Sequence, residues 1–367
     1  MPKITTTHLN ENHTCPIVAL GASAGGLEAF EQFFEATPKN SNIAYILIVH
    51  LDPKYISLLP ELVQKKTNIK VQQITDGMVV ESNHAYVIPP NNDLTIVNGI
   101  LKLSTRAKQK GLNLPIDLFF RSLAKDQGNN AVAIILSGTG SDGTLGIKAI
   151  KEAAGMVMVQ DETSAMYDGM PRSAILTGLA DYVLPVEKMP EQLIKFTQHA
   201  LDLSSKHISP VEAISPVSLQ KIYTLIKTQT GHDFSFYKEN TICRRIERRM
   251  NMHQISNVQE YVNYLQGSEL EVNILFKELL IGVTSFFRNP AAFDALKDKY
   301  LPELLYKKAD EHTVRVWVAG CSTGEEAYSL AIILHECMIN IKRHFDVQIF
   351  ATDLDEKAIA TARSGVY

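Results

Sequence analysis

Three short segments carry residues able to act on an acyl group. Gly21-Ala22-Ser23-Ala24-Gly25-Gly26 places a serine in a G-x-S-x-G turn, where glycines permit a sharp bend that lifts the hydroxyl above a sheet. A helix opening there aims its N–H groups at a nearby oxyanion. The same turn is compatible with a phosphate loop or with plain helix-on-sheet packing. A serine nucleophile needs a base. His50, in Val49-His50-Leu51-Asp52-Pro53, follows the apolar run Ile43–Val49 and so falls at the C-terminal end of a strand. The base needs an orienting carboxylate. Asp142, in Ser137-Gly138-Thr139-Gly140-Ser141-Asp142-Gly143, comes just after the run Ala131–Leu136. Capping the helix that follows is its alternative role. The chain order Ser, His, Asp differs from the Ser, acid, His order of α/β-hydrolases, so the G-x-S-x-G match does not imply that fold.

A second kind of chemistry is suggested further on. Trp317-Val318-Ala319-Gly320-Cys321-Ser322-Thr323-Gly324-Glu325-Glu326 reads as a strand, a small-residue loop and a helix start. No lysine follows the last glycine, so this is not a P-loop. Glu325 and Glu326 disfavour phosphate and favour a cationic or hydroxyl-bearing ligand. The next strand ends at Ala351-Thr352-Asp353, where an acidic residue commonly binds ribose hydroxyls. S-adenosylmethionine satisfies both conditions. A capping box between Thr323 and Glu326 is the structural alternative and is compatible with ligand binding.

A third segment, Thr241–Met250, carries Arg244, Arg245, Arg248 and Arg249 on one helical face, with Ile242, Ile246 and Met250 on another. It reads either as a solvated face or as a docking surface for an acidic helix.

The elements that must position these residues are legible as apolar runs. Strands are expected at Ile17–Gly21, Ile43–Val49, Tyr86–Ile88, Ala131–Leu136 and Met156–Val159, alternating with helical stretches such as Leu27–Ala36 and Gly146–Ala154. Continuous apolar strands alternating with helices predict a doubly wound parallel sheet of α/β class, whose loops collect function at the strands' C-terminal ends. Residues 1–14 read as a disordered lead, 15–202 as the α/β domain and the serine-rich stretch 203–217 as a linker. Residues 218–280 read as a small all-α module, and 281–367 as the start of a Rossmann-like domain.

The chain has 367 residues, 45% apolar and 21% charged, with a net charge of −4. At roughly 150 residues per domain that is a globular chain of about two to three domains. The charge argues against nucleic acid as a partner. Cys15, Cys243, Cys321 and Cys337 are scattered without CxxC spacing, so neither a disulfide framework nor a metal site is expected. No signal peptide or membrane-spanning run is visible, and a cytoplasmic location without membrane insertion is expected.

The first set of motifs, GASAGG, VHLDP, YVIPPN (86–91), LSGTGSDG and DGMP (168–171), resembles the catalytic domain of the chemotaxis methylesterase CheB over about residues 15–200. The resemblance implies hydrolysis of glutamate methyl esters and deamidation of glutamines on methyl-accepting chemoreceptors or similar signalling proteins. It makes Ser23 the nucleophile, His50 the base and Asp142 its orienter, with no cofactor. Amides near Ala24 and Thr139–Gly140 are the expected oxyanion donors. Ala24 stands where the family often has threonine.

GVTSFFR (282–288), WVAGCSTGEEAYS and FATDLD resemble the chemoreceptor methyltransferase CheR over about residues 210–367. That resemblance implies that Thr284, Arg288, Glu326 and Asp353 contact S-adenosylmethionine, and that the arginine helix docks on the receptor. Gly282 stands where the family usually has asparagine. The chain is expected to be a fragment of a longer fusion, with its transferase incomplete and no receiver domain ahead of the esterase. The rival expectations are a non-catalytic signalling adaptor and a serine hydrolase of small esters.

Overall fold

In a computed structural model of the chain, the described residues are 15–50, 58–105, 114–204, 214–282, 284–307 and 313–367. The expected lead at 1–14, Leu51-Asp52-Pro53 of the histidine motif, and 205–213 of the expected linker lie outside them. The chain divides into two compact units, one ending at Leu279 and the other starting at Leu280.

The first unit opens with β1 (Ile17–Ala22), α1 (Gly26–Glu35), β2 (Ala44–Val49), α2 (Leu59–Gln64), β3 (Lys70–Gln73), β4 (Met78–Val79), β5 (His84–Val87), β6 (Asn92–Val97) and β7 (Ile100–Thr105). It continues with α3 (Pro115–Gln127), β8 (Val132–Ile135), α4 (Thr144–Glu152), β9 (Met156–Gln160), α5 (Gly169–Leu176), β10 (Tyr182–Leu184) and α6 (Met189–Ser204). Seven strands form one sheet in the order β10-β9-β8-β1-β2-β5-β3, with every pairing parallel. All six residues of β1 and of β2 are buried, because helices cover both faces. From β1 the chain moves outward to β2, and only later returns to lay β8 on its other side. That reversal is a topological switch point at the C-terminal ends of β1, β2 and β8.

Two strands of this sheet, β3 and β10, are too short to show as apolar runs in the sequence. A separate antiparallel sheet, β4-β7-β6, was also not expected. Its hairpin turns at Asn98-Gly99, with positive φ of 51° and 70°. Asn-Gly between alternating apolar residues is the signature of a type I′ turn, so the signal was present.

The all-α module follows as α7 (Pro216–Thr230), α8 (Glu239–Met252), α9 (Val258–Gly267) and α10 (Glu269–Leu279). It belongs to the same compact unit. The solvated and docking readings of its arginine face are corrected here for three of the four side chains. Arg245, Arg248 and Arg249 are buried, and Arg244 alone is exposed. Arg245 donates to the carbonyls of Lys151 and Glu152, and Arg248 donates through Nε to Gly155 O at 3.0 Å. Arg248 also pairs with Asp181 and Glu278, while Lys151 Nζ lies 2.7 Å from Asp181 Oδ1. Arg249 grips Glu271 with two bonds of 2.8 and 2.6 Å. Helix periodicity gives the face but not what covers it. Here the cover is the end of α4 and the approach to β10.

The second unit holds α11 (Pro290–Ala295), α12 (Leu301–Tyr306), β11 (Val314–Ala319), α13 (Glu325–Ile341), β12 (Val347–Thr352) and α14 (Glu356–Ser364). β11 and β12 pair in parallel, over a small core that includes Leu305, Ile333, Leu334 and Phe345. Among the described residues no helix is long and apolar enough to cross a membrane.

Candidate active site

Ser23 is the first residue past β1, and Gly25 caps α1 in the left-handed region at φ 73°. A Cβ at Gly25 would lie 2.6 Å from Ser137 Oγ, so only glycine fits both the angle and the space. Ser137, just past β8, is the fastening point. Its carbonyl accepts from Ser23 N at 3.0 Å. Its hydroxyl donates to Ala24 O at 2.9 Å and accepts from Tyr167 N at 3.0 Å. Its own N–H donates to Gln160 Oε1. The DGMP segment is zipped alongside, through Gly138 N to Tyr167 O and Met170 N to Gly138 O. A Cβ on Gly138 would come within 3.0 Å of Ser23 Cβ, so the two loops touch beside the nucleophile.

His50 Nε2 and Asp142 Oδ2 are 2.8 Å apart. If Asp142 accepts from Nε2–H, Nδ1 is the nitrogen left with a lone pair. The imidazole is 35% exposed and the Asp142 side chain 5%. Asp142 does not cap the helix that follows it, since the N-cap of α4 is Gly143. Instead its carboxylate accepts from Ile116 N and Asp117 N, each at 3.0 Å. Those are the second and third residues of α3, whose own N-cap, Leu114, supplies no side-chain acceptor. Two helix-end amides and the imidazole thus hold one buried carboxylate.

The structure therefore joins His50 to Asp142. Ser23 enters the same edge, but no hydrogen bond links its hydroxyl to His50 among the described residues. Such contacts commonly tighten only with substrate present. Ser23 N and Gly138 N are committed to carbonyls, whereas the amides of Ala24, Thr139 and Gly140 have no acceptor among the described residues. Sequence reasoning missed Ser137 and the start of α3. The available signal for the latter was Pro115 at a helix start with no capping side chain before it.

In the second unit, Asp353 Oδ2 accepts from Ser322 N at 2.7 Å and Oδ1 from Asp355 N at 2.9 Å. The carboxylate is thereby drawn onto the loop after β11, and each oxygen keeps a second lone pair. A Cβ at Gly282 would meet Ser322 Oγ at 2.3 Å, so the asparagine usual in the resembled family would need that loop to shift. The segment after Gly282 is anchored by Phe287 N donating to Ser329 Oγ at 3.0 Å. Thr284 is half-buried and Arg288 and Glu326 are exposed; neither Thr284 nor Glu326 makes a side-chain hydrogen bond among the described residues. Glu325, by contrast, is buried and accepts from Thr323 Oγ1 at 2.6 Å. The Thr323–Glu326 capping box is therefore not formed. The N-cap of α13 is Gly324, and the hydroxyl is spent on the neighbouring acid.

The chain thus carries a doubly wound α/β domain with a histidine–aspartate pair at its switch point, then a helical module, then a strand–loop–helix with an acidic residue after its second strand. Known families match each of these three stretches. Residues 18–193 match CheB methylesterase, 218–280 match the CheR methyltransferase all-alpha domain, and 282–367 match the CheR methyltransferase SAM binding domain. The chain is thus similar to CheB methylesterase in its first part and to the two domains of CheR methyltransferase in the rest.

An uncharacterized 104.1 kDa protein of Rhodobacter capsulatus is 35% identical over 84% of this chain and 34% of its own length. A protein-glutamate methylesterase/protein-glutamine glutaminase of Pseudomonas aeruginosa is 33% identical over 49% of this chain and 52% of that protein. One from Pyrococcus abyssi is 32% identical over 48% and 50%. The crystal structure of the Thermotoga maritima CheB methylesterase catalytic domain is 30% identical, covers 50% of this chain and 99% of that one, and has a TM-score of 0.46. The chain thus spans about a third to a half of these curated relatives.

Proposed function

We propose that the first part of the chain is a protein-glutamate methylesterase and glutamine deamidase working by serine acyl transfer. The single observation that carries this reading is the 2.8 Å His50–Asp142 contact at the sheet edge where Ser23 also emerges. His50 Nδ1 takes the Ser23 proton as Oγ bonds to the substrate carbonyl carbon. The amides of Ala24 and of Thr139 or Gly140 stabilise the oxyanion. Imidazolium then protonates the departing methoxide, or the amide nitrogen of a glutamine, releasing methanol or ammonia. Water attacks the acyl-serine, its proton passes to His50, and a free glutamate carboxylate leaves as Ser23 recovers its hydrogen. Asp142 stays ionised, held by the two amides of α3, and steadies the imidazolium.

The second part is the S-adenosylmethionine-binding portion of a protein-glutamate O-methyltransferase. The residues present fit the ligand. Asp353 is aimed at the loop with lone pairs to spare for ribose hydroxyls, and acidic Glu326 suits the cationic end. Thr284 and Arg288 would contact the same ligand from the 282–288 segment. When bound, S-adenosylmethionine supplies a methyl group for a glutamate carboxylate. Both parts would act on one substrate, a methyl-accepting chemoreceptor or similar cytoplasmic signalling protein. Release of methanol from a methylated receptor by wild type, with none from Ser23→Ala, is the result expected. Full release by that variant overturns the nucleophile, and no release by wild type overturns the substrate.

A further inference from the structure

We propose that Asp117 is a positioning residue of the esterase site, holding Asp142 and through it His50 by a cap exchanged between α3 and α4. The inference rests on the acyl-transfer reading above. Neither helix supplies its own side-chain cap, since Leu114 precedes α3 and Gly143 precedes α4. Each borrows a carboxylate from the other. Asp142, next to the start of α4, accepts from the Ile116 and Asp117 amides of α3. Asp117, in the first turn of α3, accepts from Gly146 N of α4 at 2.5 Å. Both aspartates are buried, at 3% and 5% exposure. Asp117 therefore touches the catalytic acid twice, directly through its N–H and indirectly by fixing the helix that carries the acid.

Packing leaves this exchange little slack. A Cβ on Gly146 would sit 2.6 Å from Phe120 Cβ and 3.1 Å from Asp117 Cα, so the two helix starts are in close contact. The orientation of the Asp142 carboxylate is then set by three donors, Ile116 N, Asp117 N and His50 Nε2. Loss of the Asp117 acceptor would orphan the Gly146 amide and free the start of α4 to turn.

Charge adds a second effect. Burial, with a smaller push from Asp142, raises the Asp117 carboxyl to about 6 against the Gly146 amide, Arg121 and the Gly143 amide. The groups facing it are Asp142 and those two amides from the α4 side and Arg121 from its own helix, with His50 beyond Asp142. Near neutral pH its negative charge stands behind Asp142 and favours the imidazolium.

The test uses the full chain with two probes that need no receptor, labelling of Ser23 by a fluorophosphonate and hydrolysis of p-nitrophenyl acetate. Asp117→Ala is expected to slow both by about 30-fold, and Asp117→Asn, which keeps a carbonyl acceptor for Gly146, to recover to within about fivefold of wild type. In Asp117→Asn the acid limb of the pH–rate profile should fall by about half a unit, because the imidazolium loses a negative neighbour. Wild-type rates in Asp117→Ala, beside a large loss in Asp142→Ala, overturn the proposal and leave the triad intact. Equal losses in both Asp117 variants with an unmoved acid limb also overturn it, since a merely structural role predicts that. Full activity of Asp142→Ala overturns the triad and this proposal together.

Discussion

Gly21–Gly26 and Gly320–Glu326 both follow a parallel strand and open a helix whose N-cap is a left-handed glycine, Gly25 or Gly324. Their surroundings differ. The first turn is clasped by loops from neighbouring strands, with Ser137 bonded to Ser23, Ala24, Tyr167 and Gln160. The second is held by the end of β12, with Thr352 O accepting from Gly320 N and Cys321 N and Asp353 from Ser322 N, while Tyr367 donates to Thr323 O. An attacking oxygen must be placed within a fraction of an ångström of its carbonyl, whereas a bound nucleoside needs an accessible rim with a few fixed acceptors. Under the proposed functions the same local geometry would serve either purpose, and the neighbouring loops would decide which.

Breaking the first turn should cost far more than breaking the second. Ser23→Ala is expected to lower methyl-ester hydrolysis by about 10⁴-fold or more and to abolish fluorophosphonate labelling, with calorimetric binding of S-adenosylmethionine unchanged. Asp142→Asn should lower kcat by about 10³-fold with a small change in KM, because the amide no longer fixes the tautomer of His50. Gly25→Ala, which forces a Cβ against Ser137 in a left-handed backbone, should cost about 10- to 100-fold in labelling rate and lower the melting temperature. On the other turn, Asp353→Ala should weaken S-adenosylmethionine binding by about tenfold, and Glu326→Gln by about threefold. Equal effects at the two turns would erase the distinction.

A comparison by pH separates the helical module from both turns. Burial pushes Asp181 and Glu271 upward, but Arg248 and Lys151 outweigh it for the first, and His253 and Arg249 for the second. Both carboxyls are held at about 2. Folded values below the unfolded ones mean stability that is complete above about pH 4.5 and is lost as pH falls toward 2. Circular dichroism should show acid unfolding in that window, beginning at higher pH in Glu271→Gln.

Much of the esterase edge was readable. The placement of Ser23 and His50 at strand ends was readable because a Gly-rich turn and a fully apolar strand are strong local patterns. The true partners of Asp142 were hidden because α3 starts more than twenty residues earlier in the chain, and only folding brings its bare amides to the loop. The arginine face was misjudged for a related reason. Periodicity shows that Arg245 and Arg248 share a side of α8, but Asp181 and the carbonyls of α4 come from another domain. The Asn98-Gly99 hairpin was readable from its turn residues, although its short flanking strands are not continuous apolar runs. In the second unit, Glu325 and Glu326 are indistinguishable by type, and only burial separates them.

The arginine grip on α4 bears on how the esterase is handled as an isolated domain. A gene cut after the α/β sheet, the obvious place from domain boundaries, would strip Arg245 from the carbonyls of Lys151 and Glu152 and Arg248 from that of Gly155. Lys151 and Asp181 would then face solvent at the far end of the nine-residue helix that begins beside Asp142. A recombinant version intended to keep native activity should extend through Leu279, and a shorter one invites aggregation at the newly bared surface.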